Sequence, residues 1–158
     1  MSDEPISEMD QLREIVRVNL ERDKATAEII SLAHLVLDAL PDGLIVTKAS
    51  GEVVFFNSRA QHMFKYHRDQ VIGRPIEMLL PERYRETHVR QRALFNDSDY
   101  APYPHTMGQG IDIFGLDKDG NEFPIVVTLS QMITPGESGG MYDMASVRRA
   151  IPAATKEE

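Results

Sequence analysis

The 158-residue chain contains no cysteine and no tryptophan. Without cysteine it can form no disulfide bond, iron–sulfur cluster, cysteine-based zinc site or thiolate nucleophile. Aromatic recognition therefore depends on six Phe and five Tyr residues.

Positive charge is also scarce, because 17 Lys and Arg face 25 Asp and Glu, for a formal net charge of -8. Nucleic-acid binding draws most of its affinity from basic patches, so direct DNA or RNA binding is not expected. The sequence contains no apolar run of the roughly 20 residues that cross a bilayer. The acidic N-terminus does not resemble a secretory signal. These features predict a cytoplasmic protein that is not inserted in a membrane.

Glycine and proline are missing from residues 7–40, where strong helix formers dominate. This predicts one long helix or two shorter ones, with Ser7 as a possible cap. Apolar residues follow two heptad tracks, each with a polar interruption. Such a helix either packs against its own domain or forms a dimer and transmits a signal.

The next segment alternates short strands and helices. Residues 44–47 and 53–56 are rich in strand formers and predict a hairpin that turns at Gly51. Short helical segments follow at residues 59–64 and 69–73, and a longer helix begins after Pro81.

Three later strands are predicted at residues 110–116, 122–132 and 140–148, where apolar residues alternate. Strands on both sides of a helical middle predict an α+β fold with an antiparallel sheet. The helices would cover one face of that sheet.

Four sequence blocks, in this order and spacing, resemble the PAS family of sensory domains over residues 31–150. They are residues 40–46, 51–57, 71–81 and 118–125. The resemblance implies a PAS-like five-stranded antiparallel sheet with short helices on one face, preceded by an N-terminal helix. Residues 1–30 would then be a helical extension for dimerisation or signalling, and residues 151–158 a flexible tail.

The resemblance implies a sensory module that binds a small ligand or partner and regulates another protein, a kinase or a transcription regulator. It also implies a homodimer formed through the N-terminal helix and the sheet. A purely structural dimerisation module is the alternative. No enzyme is expected, because no activated nucleophile or metal cluster is recognisable in the sequence. The segment Val147–Pro152 lacks the Asp-Ile-Thr junction that often passes the signal onward in this family.

Haem is the cofactor that the resemblance leaves possible, because cysteine-linked flavins and chromophores are excluded. Residues 81–88 resemble the helix that offers an axial histidine in haem-type PAS domains of oxygen-sensing kinases, which makes His88 the candidate ligand, and His105 lies in the next similar segment. The two arginines of those sensors fall on Leu94 and Ile111. The alternative for His88 is a partly buried histidine bonded to a backbone carbonyl or a carboxylate.

Apolar residues near these blocks form the predicted lining of a pocket, or simply the core. No metal site is expected, because His62 and His67 have no obvious third ligand. The predicted lining is Met63, Phe64, Ile72, Met78, Leu79, Leu94, Ile111, Ile113, Val127 and Leu129, with Phe123 as a further core residue.

Overall fold

The computed structural model of the chain describes residues 8–97, 105–107, 113–134 and 139–150. The chain divides into two units between Leu37 and Asp38. Helix α1, Glu8–Ala39, makes up the first unit as one continuous helix. Ser7, Ile111 and the predicted tail at residues 151–158 lie outside the described residues. Among the helices of the described ranges, none is both long and apolar enough to span a membrane.

The apolar side chains of α1 are exposed along its whole length. Both heptad tracks contribute to this surface, since Ile30 and Leu32 are each more than half exposed. The exposed apolar residues of α1 are Met9, Leu12, Ile15, Val16, Val18, Leu20, Ile29, Ile30, Leu32, Leu35 and Val36.

The second unit is built on an antiparallel sheet with strand order β2-β1-β6-β5-β3, in which β4 also pairs with β5. Strands β3 and β4 pair with successive stretches of the same edge of β5, so six strands fill five positions. The predicted five-stranded antiparallel sheet is confirmed. Strand β3 was not among the predicted strands. The strands are β1 Gly43–Lys48, β2 Val53–Phe56, β3 His105–Met107, β4 Ile113–Leu116, β5 Glu122–Ile133 and β6 Met141–Arg149.

The core lies between the sheet and the short helices of the second unit. Three phenylalanine rings lie at its centre, with Phe64 5.3 Å from Phe123 and 6.3 Å from Phe56 between ring centroids. These distances are typical of favourable aromatic pairs. The helical elements are α2 Ser58–Phe64, α3 Arg68–Val71, the 3-10 turn Ile76–Leu79 and α4 Glu82–Asp97.

Asn57 connects the strands to the helices. Its side chain is fully buried, and Oδ1 accepts hydrogen bonds from the backbone N–H groups of Leu44, at 2.8 Å, and Ala60, at 3.0 Å. Its Nδ2 donates to the carbonyl of Asp42 at 3.1 Å. The predicted cap of α2 is therefore also the link between α2 and the start of β1.

We expect Asn57→Ala to lower the free energy of unfolding by roughly 2–4 kcal/mol, because it removes a helix cap and leaves a buried N–H of β1 without an acceptor. Chemical denaturation monitored by circular dichroism measures this loss. Ser50→Ala, at an exposed position, is the control and should stay within about 0.5 kcal/mol of wild type. Equal stability of the two variants would contradict the role given to Asn57.

Candidate functional site

A cavity of about 710 Å³ lies between α4 and the inner face of the sheet. This volume is within the usual range of small-molecule sites, roughly 300–1,000 Å³. Apolar side chains form most of the wall, and a smaller polar set is contributed by β1, β6 and α4. The lining residues are Ile45, Thr47, Phe64, Ile76, Leu79, Leu80, Tyr84, Thr87, His88, Gln91, Arg92, Phe95, Thr106, Ile113, Phe114, Ile125, Val127, Leu129, Asp143, Ala145 and Val147.

The strand register gives the sheet wall an apolar part and a polar end. Ile45 of β1 pairs with Ala145 of β6, which pairs with Leu129 of β5. Two residues further along β1, Thr47 pairs with Asp143. Since side chains at every second position share a face, the apolar row and the polar row lie next to each other in the same wall.

Helix α4 supplies the opposite wall through one of its faces. Its lining residues follow a spacing of three or four, as in Tyr84, His88, Gln91 and Phe95, which is the spacing of one helical face. The helix predicted after Pro81 thus presents to the cavity one face that carries both apolar and polar side chains.

Glu77, in the 3-10 turn, fixes the position of α4. Its Oε1 lies 2.9 Å from Nδ1 of His88 and 3.2 Å from Nε of Arg92. Burial raises the pKa of Glu77, but the hydrogen bond from His88, a backbone N–H and the charge of Arg92 outweigh burial, so the pKa is lowered. An ionised carboxylate only accepts, so Nδ1 of His88 is the donor in this contact.

Arg92 also reaches the β1–β2 turn, where its Nη1 donates to the carbonyl of Ala49 at 2.8 Å. Gly51 makes this approach possible. A Cβ atom at Gly51 would lie 2.5 Å from the guanidinium carbon of Arg92, and the backbone there has a φ of +87°. The glycine predicted for the hairpin turn is thus required by both the turn and the arginine.

Asp143 is a buried carboxylate of the cavity wall, and its environment differs from that of Glu77, which lies behind α4 in the 3-10 turn. Neither carboxylate oxygen has a hydrogen-bond partner among the described residues. Burial raises the pKa of Asp143, and the nearby amides of Asn96 and Gln131 and the charge of Arg92 offset this only in part.

Six of the predicted pocket residues line the cavity: Phe64, Leu79, His88, Ile113, Val127 and Leu129. His88 also has the carboxylate partner proposed as its alternative role. His105 lies in β3 opposite Leu129, but its side chain is outside what the structure describes, as is all of Ile111.

The other predicted lining residues lie elsewhere. Met63 is buried in the core, and Met78 packs against the core at the 3-10 turn. Ile72 is 42% exposed because α3 ends there and directs Val71 inward instead. Leu94 is 70% exposed. It lies six residues after His88, which places it about 120° around α4 from that residue and away from the cavity.

Several cavity residues were missed by the sequence analysis. Tyr84, Gln91, Arg92 and Phe95 could have been found by extending the helical period from His88. Asp143 had no such local signal, because strand register places it in the wall. Within the described residues, no group of three or more His, Asp or Glu side chains is arranged to hold a metal ion.

We expect Glu77→Gln to lower stability by roughly 1–3 kcal/mol at pH 7, because a neutral amide binds His88 and Arg92 less strongly. The lowered pKa of Glu77 means that its contribution is present above the unfolded-state pKa and is lost as the pH falls through the folded-state pKa. Denaturation at pH 7 and pH 4 should show the difference shrinking in acid. Glu86→Gln, at a side chain 83% exposed, should have little effect at either pH.

Asp143→Asn should have the opposite sign. The raised pKa of Asp143 means that the folded state binds its proton more tightly, so wild-type stability falls as the pH rises from below the unfolded-state pKa. The variant removes the buried charge, and we expect it to melt a few degrees higher at pH 7 and to converge with wild type toward pH 4. A lower melting temperature at pH 7 would show that the carboxylate is stabilising.

Comparison with known proteins agrees with this architecture. A family model described as the PAS fold matches residues 32–141. The PAS domain of an HTR-like protein from Haloarcula marismortui superposes with a TM-score of 0.67 at 18% identity, over 82% of this chain and 98% of that one. A PAS domain from Colwellia psychrerythraea gives a TM-score of 0.58 at 20% identity, over 77% and 97% of the two chains.

Two curated relatives are sensor proteins. Sensor protein FixL of Bradyrhizobium diazoefficiens is 28% identical over 102 residues, which are 65% of this chain and 20% of FixL. Oxygen sensor protein DosP of Escherichia coli is 29% identical over 117 residues, which are 73% of this chain and 14% of DosP. This chain therefore spans only a small part of the length of these relatives. The family match, the sheet order and the cavity together show that the chain belongs to the PAS family of sensory domains.

Proposed function

We propose that this PAS domain binds a small ligand in its internal cavity and, in response, regulates another protein of a signalling pathway. The observation that carries the proposal is the cavity of about 710 Å³, which combines an apolar wall with a few positioned polar groups. The relatives named as sensor proteins support the same role. Sensing, not catalysis, is the role proposed.

The way α4 is held suits it to respond to a ligand. Hydrogen bonds hold α4 at three points along its length. Arg83, near its start, donates to Glu122, and His88, in its middle, contacts Glu77. Asn96, near its end, donates to the carbonyl of Ala49. A ligand that fits one position of α4 better than another would shift the population toward that position. Strand β6 also lines the cavity, so a ligand that shifts α4 would contact β6 as well.

We further propose that two copies associate through α1 and the sheet. Nine of the eleven exposed apolar residues of α1 lie on the two heptad tracks, all but Leu20 and Leu35, and a second α1 helix would cover them as in a coiled coil. The polar interruptions of both tracks, at Asn19 and Arg22, would make such a pairing specific in register.

Ile29→Glu combined with Leu32→Glu should convert the protein to a monomer, since each places a charge in the exposed apolar surface of α1. Light scattering on the full chain measures the mass. Lys24→Glu is the matched control, because residues 10, 17, 24 and 31 form a heptad position with only polar residues. A wild-type monomer, or a dimer that survives the double substitution, would refute association through α1. A dimer without any ligand response would favour a purely structural module.

Haem is a second candidate ligand, which one observation favours. His88 faces the cavity while Glu77 holds its Nδ1, and this is the arrangement by which proteins orient a histidine toward a metal. His88 would hold the haem iron through Nε2, and the apolar residues of the sheet would contact the ring system. When bound, haem would supply an iron that takes up a diatomic gas.

The residues present fit haem at the axial side, where His88 and Glu77 are in place. The two positions that carry arginine in haem-type PAS sensors are Leu94 and Ile111 in this chain, so neither supplies an arginine. Leu94 is exposed and directed away from the cavity, so that position contributes nothing to a haem site.

Adding hemin to the purified protein tests this candidate. If haem binds, a Soret band should appear, and His88→Ala should abolish it. His62→Ala changes an exposed histidine outside the cavity and should leave the band intact. Glu77→Gln should weaken hemin binding by about 10–100-fold. A spectrum equal to free hemin in wild type would exclude haem and leave the small-ligand proposal standing.

A further inference from the structure

Among the described residues, no donor lies in hydrogen-bond geometry to Asp143, and the two neighbouring amides bond to other groups. Nε2 of Gln131 donates to Oδ1 of Asn96 at 3.2 Å and contacts Sδ of Met141 at 3.0 Å. Nδ2 of Asn96 donates to the carbonyl of Ala49 at 3.0 Å. Both amides lie close enough to the carboxylate to lower its pKa, but neither meets the geometry of a hydrogen bond to it.

Arg92, the cation whose charge acts on Asp143, also donates its hydrogen bonds to other groups. Arg92 donates through Nε to Glu77 and through Nη1 to the carbonyl of Ala49. Its charge acts on Asp143, but it forms no hydrogen bond to it. A buried carboxylate in this situation carries a desolvation cost that a new donor would relieve.

Asp143 also belongs to the cavity wall, although the residue is only 7% exposed. The adjacent wall, formed by Ile45, Leu129 and Ala145, is apolar, and Thr47 opposite Asp143 adds one hydroxyl. Both carboxylate oxygens are buried in the structure, so the proposal below requires the carboxyl group to rotate toward the cavity. A molecule placed there would have its apolar part against the sheet and its polar end at Asp143.

We propose that Asp143 selects the ligand: it accepts a hydrogen bond from a hydroxyl or a protonated amine at one end of an otherwise apolar small molecule. The inference rests on the proposed function, because it requires that the cavity binds a ligand. Anionic heads are disfavoured by the carboxylate, and purely apolar heads leave it without a donor.

Calorimetric titration at pH 8, which favours the ionised carboxylate, tests the proposal with four probes of one shape. The probes are phenylbutanol, phenylbutylamine, the methyl ether of phenylbutanol, and phenylbutyrate. Wild type should bind the alcohol and the amine about tenfold or more tightly than the ether, since a hydrogen bond to a charged group contributes roughly that much. Phenylbutyrate should bind most weakly.

Asp143→Leu should abolish the preference and bind the ether at least as well as wild type does. Asp143→Asn keeps an acceptor oxygen without the charge, so the amine should lose more affinity than the alcohol. Asp69→Leu, at a side chain 81% exposed, removes one negative charge outside the cavity and should retain the wild-type preference.

Two results would overturn the role of Asp143 alone: equal binding of the ether and the alcohol by wild type, or a preference that survives in Asp143→Leu. In both cases the cavity still binds a probe, and the proposed function stands. If no probe binds wild type or any variant, the proposed small-ligand function is itself contradicted.

Discussion

The hydrogen bonds of the buried carboxylate Glu77 are the interaction on which the site depends. One oxygen of Glu77 accepts from both His88 and Arg92, and Arg92 extends the link to the β1–β2 turn. These bonds hold α4 by its polar face above the sheet, in place of close apolar packing onto the strands. The cavity is the space that remains beneath it.

The two buried carboxylates of the site show how partners decide the state of a group. Glu77 and Asp143 are both desolvated, which by itself raises the pKa of each. Glu77 receives hydrogen bonds from His88 and Arg92, and its pKa is lowered. Asp143 receives none, and its pKa is raised. Glu77 therefore links the 3-10 turn to α4, whereas Asp143 has no such partner among the described residues.

The cavity and α1 suit two different tasks of the proposed sensory module, ligand binding and association. The cavity of the second unit has the size and polarity of a ligand site, while α1 exposes apolar residues that suit a second copy of the chain. If the cavity binds a ligand as proposed, α4 and β6, which both line it, would carry the signal. The proposed dimer is the form of the chain that would interact with the regulated protein.

Local patterns in the sequence determined α1, the β1–β2 hairpin, the cap at Asn57 and the long strands β5 and β6, because helix and strand periodicity are carried by neighbouring residues. The motif blocks also determined the PAS fold and pointed to His88. Only the tertiary structure decided that Asp143 joins α4 at the cavity, since strand register is fixed by non-local pairing. It likewise decided that Leu94 faces outward, because tertiary contacts such as those of His88 and Arg92 with Glu77 set which face of α4 meets the cavity.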